Sequence, residues 1–389
     1  MAASSDSTVL AASREVYSAL LWAPAETAEI VGQFSRKDLT VDRREAAHAV
    51  AGVVFGSALL EPLERWLAGP PAHPSQGRPG GIGLQEVAQI ELAARLFRDW
   101  DDQFGGGLRR KAVIGQLNEV ADLLRDSHSN EIRRRLYGAL AQLAETTAIM
   151  SWDSGQQALA QRYYILALRA AKPAGDTAFA SNVMAGMARQ ILYLGHPGDA
   201  LELIRVAQDR ASGATPRILS MLYTREAWAY AKQGRISAFR RATEKAHEVL
   251  LAATDTSADP HWIAYFDQAE LAGTTGGRLR DLAHVNRDLA DEAASEIGQA
   301  IAARRPDRLR SSALDHIGLA EVRMLQGEFE EAARLGHDAA DIVEQTRSDR
   351  ARVKFANLYQ YTTSYLKIPA ISELRERIGV LISTSPSRN

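Results

Sequence analysis

Residues 151–176 read SWDSGQQALAQRYYILALRAAKPAGD, and one spacing inside them decides the fold. Gly155 is followed five residues on by Ala160 and seven further by Ala167. The same interval returns as Gly195, Ala200, Ala207, as Gly234, Phe239, Ala246, and as Gly327, Ala332, Ala339. This is the pattern of a helix hairpin, with glycine in the turn between a first and a second helix and small side chains on the second helix where the two cross closely. Successive glycines lie 40, 39 and 93 residues apart, so the last interval has room for one more unit. Gly277, Leu282 and Leu289 carry the same spacing with bulkier residues, which predicts a degenerate repeat with its turn at Gly277. The period exceeds the roughly 34 residues of an ordinary tetratricopeptide (TPR) repeat, which implies longer helices.

Outward from these repeats the 3.6-residue apolar period continues through Ile90, Leu92, Leu96, Phe97, then Ile114, Leu117, Val120, Leu124, then Leu136, Leu140, Leu143. No stretch shows the sustained alternation of a strand. The stretch 69–83, GPPAHPSQGRPGGIG, holds four of the thirteen prolines and forms neither helix nor central strand. These signals predict an all-α protein, a TPR-like α-solenoid of about seven helical hairpins with an N-terminal helical cap. Its parts are a tail and first helix start over 1–20, the cap over 21–68, a Pro/Gly linker over 69–83, the array over 84–383 and a short tail over 384–389. A helix pair is expected over about 84–127 and a closing pair over about 350–383, with Pro369 starting the last helix. At least 65% helix is expected, with Gly155, Gly195, Gly234 and Gly327 in or beside turns and Ala160, Ala200 and Ala332 buried at close crossings. The cap segment 39–67 is expected to pack on the first pair.

Composition bounds the function. The chain has 389 residues, 46% hydrophobic and 24% charged, within the globular range. Forty-six Lys and Arg against 48 Asp and Glu give a formal charge of -2, which supplies no overall field for nucleic acid or anionic membrane. The absence of Cys removes disulfides, thiolate catalysis and cysteine-type metal sites, and points to the cytoplasm. Arg43-Arg44 ahead of the apolar run 46–60 resembles a twin-arginine export signal. The pair lies more than forty residues from the start and the run is too short to span a bilayer, so a small buried helix is expected there.

Chemistry-bearing motifs are sparse. The nine histidines include no HExxH or HxH, the carboxylate pairs Asp101–Asp102 and Glu330–Glu331 are neighbours that do not share a helix face, and Gly105-Gly106-Gly107 lacks the P-loop pattern. No catalytic residue, metal or cofactor is expected. Arg133-Arg134-Arg135, Arg240-Arg241 and the stretch RRPDRLR over 304–310 read as polar helix faces or loops, with 304–310 also open to an anionic partner. Trp152 with Arg162, Tyr163 and Tyr164 reads first as hairpin core, since the adjacent tyrosines must point apart. In a TPR array the concave groove is lined by the first helices. Counting back from the turn glycines places Gln142, Glu145, Ile149 and Trp152 there, then Asn182, Ala185, Arg189 and Leu192, then Met221, Thr224, Trp228 and Ala231, then Asp267 and Glu321. This mixture of aromatics, amides and charges suits an extended peptide or a partner helix, with Trp152, Arg189 and Trp228 as anchors. The second reading is a small-molecule effector held in an apolar pocket between repeats. Neither reading requires the chain to be monomeric.

The stretches FSRKDLTVDRRE at 34–45, LLEPLERWL at 59–67 and SWDSGQQALAQRYYILALRAAKPAGD at 151–176 resemble actinobacterial TPR-containing transcriptional regulators of the NsdA type. The likeness runs from about Leu21 to the end of the chain and is most specific at 151–176. It implies a regulatory, partner-binding protein concerned with development or antibiotic production. Members carry a helix-turn-helix domain ahead of the array. That region would lie upstream of this sequence, because residues 1–20 are too few to hold one, so no direct nucleic-acid binding is expected of this chain.

Overall fold

The computed structural model describes residues 24–40, 52–60, 63, 82–104, 110–211, 213–253, 258–345 and 349–383. Helix makes up 84% of the structure and no strand occurs among the described residues, far above the one-third helix of an average globular protein. The helices are α1 (Pro24–Thr40), α2 (Leu84–Phe104), α3 (Arg110–Leu123), α4 (Asn130–Asp153), α5 (Gln157–Ala174), α6 (Thr177–Tyr193), α7 (Pro197–Arg210), α8 (Pro216–Lys232), α9 (Ile236–Leu251), α10 (Gln268–Ala283), α11 (Ala290–Ala303), α12 (Leu309–Gln326), α13 (Phe329–Glu344), α14 (Asp349–Tyr361) and α15 (Pro369–Ser383). The chain forms two compact units, residues 1–101 with 106–214, and residues 102–105 with 215–389.

The turn glycines explain the repeat. Gly155, Gly195, Gly234 and Gly327 all have positive φ, between 69° and 89°, a region that only glycine enters without steric cost. Each turn carries the same pair of hydrogen bonds. Gly155 N donates to Trp152 O at 2.9 Å and Gln156 N to Ser151 O at 2.9 Å, and Gly327 N and Glu328 N do the same to Met324 O and Arg323 O at 3.2 and 2.9 Å. This glycine cap satisfies carbonyls that the helix end leaves open. The partner positions follow: Ala160, Ala167, Ala200, Ala207, Phe239, Ala246, Ala332 and Ala339 are all at most 1% exposed. Helices α4 and α5, α6 and α7, α8 and α9, α10 and α11, and α12 and α13 pack as adjacent pairs.

The degenerate repeat is present, but its turn is elsewhere. Gly277 lies inside α10, and the chain reverses over 284–286 without a positive-φ residue. There Asn286 accepts a hydrogen bond from Asp288 N at 3.2 Å and starts the next element as a cap. Close crossing in this pair comes from Gly276: a Cβ there would stand 2.6 Å from Ile297 Cγ1 and 2.8 Å from Ile297 N.

In the first unit the expected pair over 84–127 is replaced by another arrangement. Helix α3 packs between α1 and α4, and α1 also reaches α5. Phe34 meets the Tyr163 ring edge-on at 5.2 Å, the Tyr163 hydroxyl donates to Asp38 Oδ2 at 2.7 Å, and Arg110 pairs with the same carboxylate. Described residues of the cap segment contact α5 and the turn before α7. Gln161 of α5 clamps the backbone of Val54 from both sides, at 2.9 Å to its N–H and 2.9 Å to its carbonyl. Phe55 stacks on His196 at 3.7 Å, and Gly56 N donates to Asp199 Oδ2 at 3.0 Å. The tails 1–20 and 384–389, the linker core 69–81, the run 46–51 and Gly105-Gly106-Gly107 lie outside the described residues. No described helix is long and apolar enough to cross a membrane.

Candidate functional site

The groove positions read from the sequence fall into two groups, one in each unit. In the first unit Gln142, Glu145, Ile149 and Trp152 lie on α4, and Asn182 and Arg189 on α6. Only Gln142 and Arg189 keep appreciable exposure; Glu145, Ile149, Trp152 and Asn182 are buried. A buried carboxylate needs partners, and Glu145 takes them from its own chain. Arg98 Nη1 of α2 donates to Glu145 Oε2 at 2.7 Å, and Asn182 Nδ2 donates to Oε1 at 2.8 Å. A second pair, Arg135 with Glu91 at 2.7 Å, ties α2 to the start of α4. Side chains of α2 therefore reach the face that the sequence reading reserved for a partner, and Glu145 and Asn182 are already committed.

The remaining cluster at this face is aromatic. The Arg189 guanidinium sits 4.6 Å from the Trp152 ring centre, and Trp152 meets Tyr193 edge-on at 6.0 Å. Beneath it Tyr164 of α5 is fully buried and burial pushes its hydroxyl up to about 12, against the nearby Arg189 charge. Its ring occupies the space above Gly186, where an added Cβ would stand 2.8 Å from Tyr164 Cε1. Tyr163 and Tyr164 are both core residues.

In the second unit the first helices α8, α10, α12 and α14 pack in succession. Thr224 is buried and turns back on its own helix, its hydroxyl donating to Met221 O at 2.7 Å. Asp267 caps α10, accepting from Glu270 N at 2.8 Å. Trp228 is half-buried, and the Arg278 guanidinium lies over its ring at 4.2 Å, a cation–π contact. Arg278 Nη1 reaches Asp281 Oδ2 at 3.2 Å, Arg280 Nη2 donates to Asp281 Oδ1 at 2.6 Å, and Arg280 Nε lies 3.2 Å from Glu321 Oε2. Arg280 is 5% exposed in its side chain, whereas Arg278 is 18% and Asp281 31% exposed. Burial works against ionisation of Asp281, but Arg278, Arg280 and Lys354 outweigh it and hold the carboxyl well below the usual range. Lys354 of α14 is half-buried beside Arg280; that like charge, then burial, push its ammonium down to about 8, despite Asp281 and Glu321.

The sequence reading missed Arg278, Arg280, Asp281 and Lys354. Taking Gly277 as a turn put 278–281 outside the first helix of their repeat. The signal that would have corrected it is Asp267, which with Glu270 three residues on marks a helix start only ten residues before Gly277. Arg304, singled out within 304–310, is spent internally on Asp315 at 2.7 Å and Glu270 at 2.7 Å, and Arg305 pairs with Asp307 at 2.8 Å. Among the described residues no three His, Asp or Glu come together as a metal-ligand group. No protein-family profile matches the chain, and no curated protein matches it.

Proposed function

We propose that the protein is a TPR-like helical-repeat interaction module, the partner-binding part of a cytoplasmic transcription regulator resembling the NsdA type, and that it acts by holding a protein or peptide rather than by catalysis. The observation that carries this reading is the row Trp228, Arg278, Asp281 and Lys354, half open to solvent, with the buried Glu321 beside Arg280, drawn from four successive first helices of the second unit. Trp and Arg are the commonest anchors of protein interfaces, and a stacked Trp–Arg pair presents both already ordered. The glycine-capped hairpins with small residues at their crossings support the TPR-like assignment. The first unit contributes less, because α2 already takes Glu145.

Affinity capture from native lysate with wild-type protein and with Trp228→Ala, followed by rebinding of the purified partner, tests this reading. A partner held by wild type and lost from the folded variant is the expected result. The same partner held equally by both, with unchanged melting temperature, would refute it. Tight sequence-specific retention of duplex DNA by this chain alone at physiological salt would refute action through a partner.

A further inference from the structure

The same row has a charge imbalance that names the chemistry of its occupant, and this inference rests on the binding reading above. Three cations of α10 and α14, Arg278, Arg280 and Lys354, stand with two carboxylates, Asp281 and Glu321. Arg225 of α8 adds its positive charge to the field at Arg278. Arg280 is consumed, lying between Asp281 and Glu321 at 2.6 and 3.2 Å. Asp281 and Glu321 are thereby consumed too. Arg278 retains one ion pair at 3.2 Å and otherwise rests on the Trp228 ring. Lys354 stands next to Arg280, with no ion pair among the described residues and with its charge disfavoured by that arginine. Lys354 helps to keep Asp281 ionised, but Arg280, burial and Arg278 together outweigh what Asp281 and Glu321 give its own charge. An arriving anion reverses the sign of that balance.

We propose that Arg278 and Lys354 receive the carboxylates of an acidic peptide segment, laid across α10, α12 and α14 with Trp228 at one end of the track. Peptide chemistry follows from the layout. The cations sit on different helices of a row rather than at one point, so the occupant must present several negative charges in line. An extended peptide with acids at alternate positions places them about 7 Å apart on one side. Trp228 contributes an apolar ring edge for the residue next to the acids.

The test is fluorescence anisotropy of dye-labelled hexaglutamate on the full chain at about 50 mM salt, where surface charges are weakly screened. Saturable binding is expected, weakening as salt rises. Arg278→Met and Lys354→Met should each lower affinity about tenfold or more, the loss of one charge-assisted contact. Lys245→Met removes an exposed cation of α9 already paired with Glu248 and should change nothing. Lys354→Met should also melt no lower than wild type, which separates loss of binding from loss of fold. Equal hexaglutamate affinity in all four proteins would overturn the proposal, as would a marked fall in the melting temperature of Lys354→Met. Binding of inorganic phosphate at these residues without binding of hexaglutamate would overturn the peptide assignment. If hexaglutamate fails while Trp228→Ala still abolishes partner capture, the acidic chemistry is wrong and the interaction reading stands.

Discussion

Lys354→Met is the most informative perturbation, because the structure makes it stabilising where an ordinary core-facing substitution would not be. The ammonium is lowered from the ordinary 10.5 to about 8, chiefly by the positive charge of Arg280 and then by burial. At about 1.4 kcal/mol per tenfold, that displacement bounds the cost of the charge at ~3 kcal/mol. The side chain is only half-buried, so solvent screening reduces the figure to about 1–2 kcal/mol. The sign is fixed by linkage. Below about pH 8 the lysine is protonated in both folded and unfolded chains, and the folded state bears the full cost. Between about 8 and 10.5 the folded state releases the proton first, so wild-type stability rises with pH relative to the variant. Denaturant unfolding at pH 7 and pH 10 should show the variant ahead by about 1–2 kcal/mol at pH 7 and the gap mostly closed at pH 10. A variant less stable than wild type at pH 7, or a gap independent of pH, would show that Lys354 is satisfied inside the fold and refute the electrostatic reasoning.

Two further perturbations address packing. Ala200→Phe places a ring at the fully buried crossing of α7 and should cost about 1–3 kcal/mol through overpacking; calorimetry giving equal melting temperatures would remove the small-residue explanation of the repeat. Gly276→Ala should lower stability by about 1–3 kcal/mol despite the better helix propensity of alanine, because the new methyl meets the Ile297 backbone nitrogen at 2.8 Å and backbone cannot rotate away. A stabilised Gly276→Ala protein would mean that α10 and α11 separate without penalty.

The legibility of this protein follows the range of the forces involved. Gly155, Gly195, Gly234 and Gly327 were readable because positive φ and a helix cap are decided within six residues of chain. Their partners Ala160, Ala200 and Ala332 were readable because each turn fixes the register of the helix that follows. Gly277 misled because its spacing matched while its backbone role did not: it lies in mid-helix, and the turn at 284–286 is built without a glycine. The pair over 84–127 misled because periodicity says that a helix has an apolar face but not which helix covers it. Val87, Ile90 and Ala94 are buried as the pattern of α2 requires, yet Glu91 and Arg98 of α2 find their ion-pair partners on α4.

By itself the sequence determined the all-α class, the hairpin turns and the small residues at their crossings. Only the tertiary structure decided which candidate residues remain available. Glu145 sits 47 residues from Arg98 and 37 from Asn182 in the chain, and its commitment to both depends on where α2 comes to rest. Arg278 and Lys354 are 76 positions apart, and they share one electrostatic environment because α10, α12 and α14 pack in succession. A turn is selected by the backbone conformations of a few neighbouring residues, whereas a buried charge is selected by whichever helices fold against it. The first is written locally; the second exists only once the chain has packed.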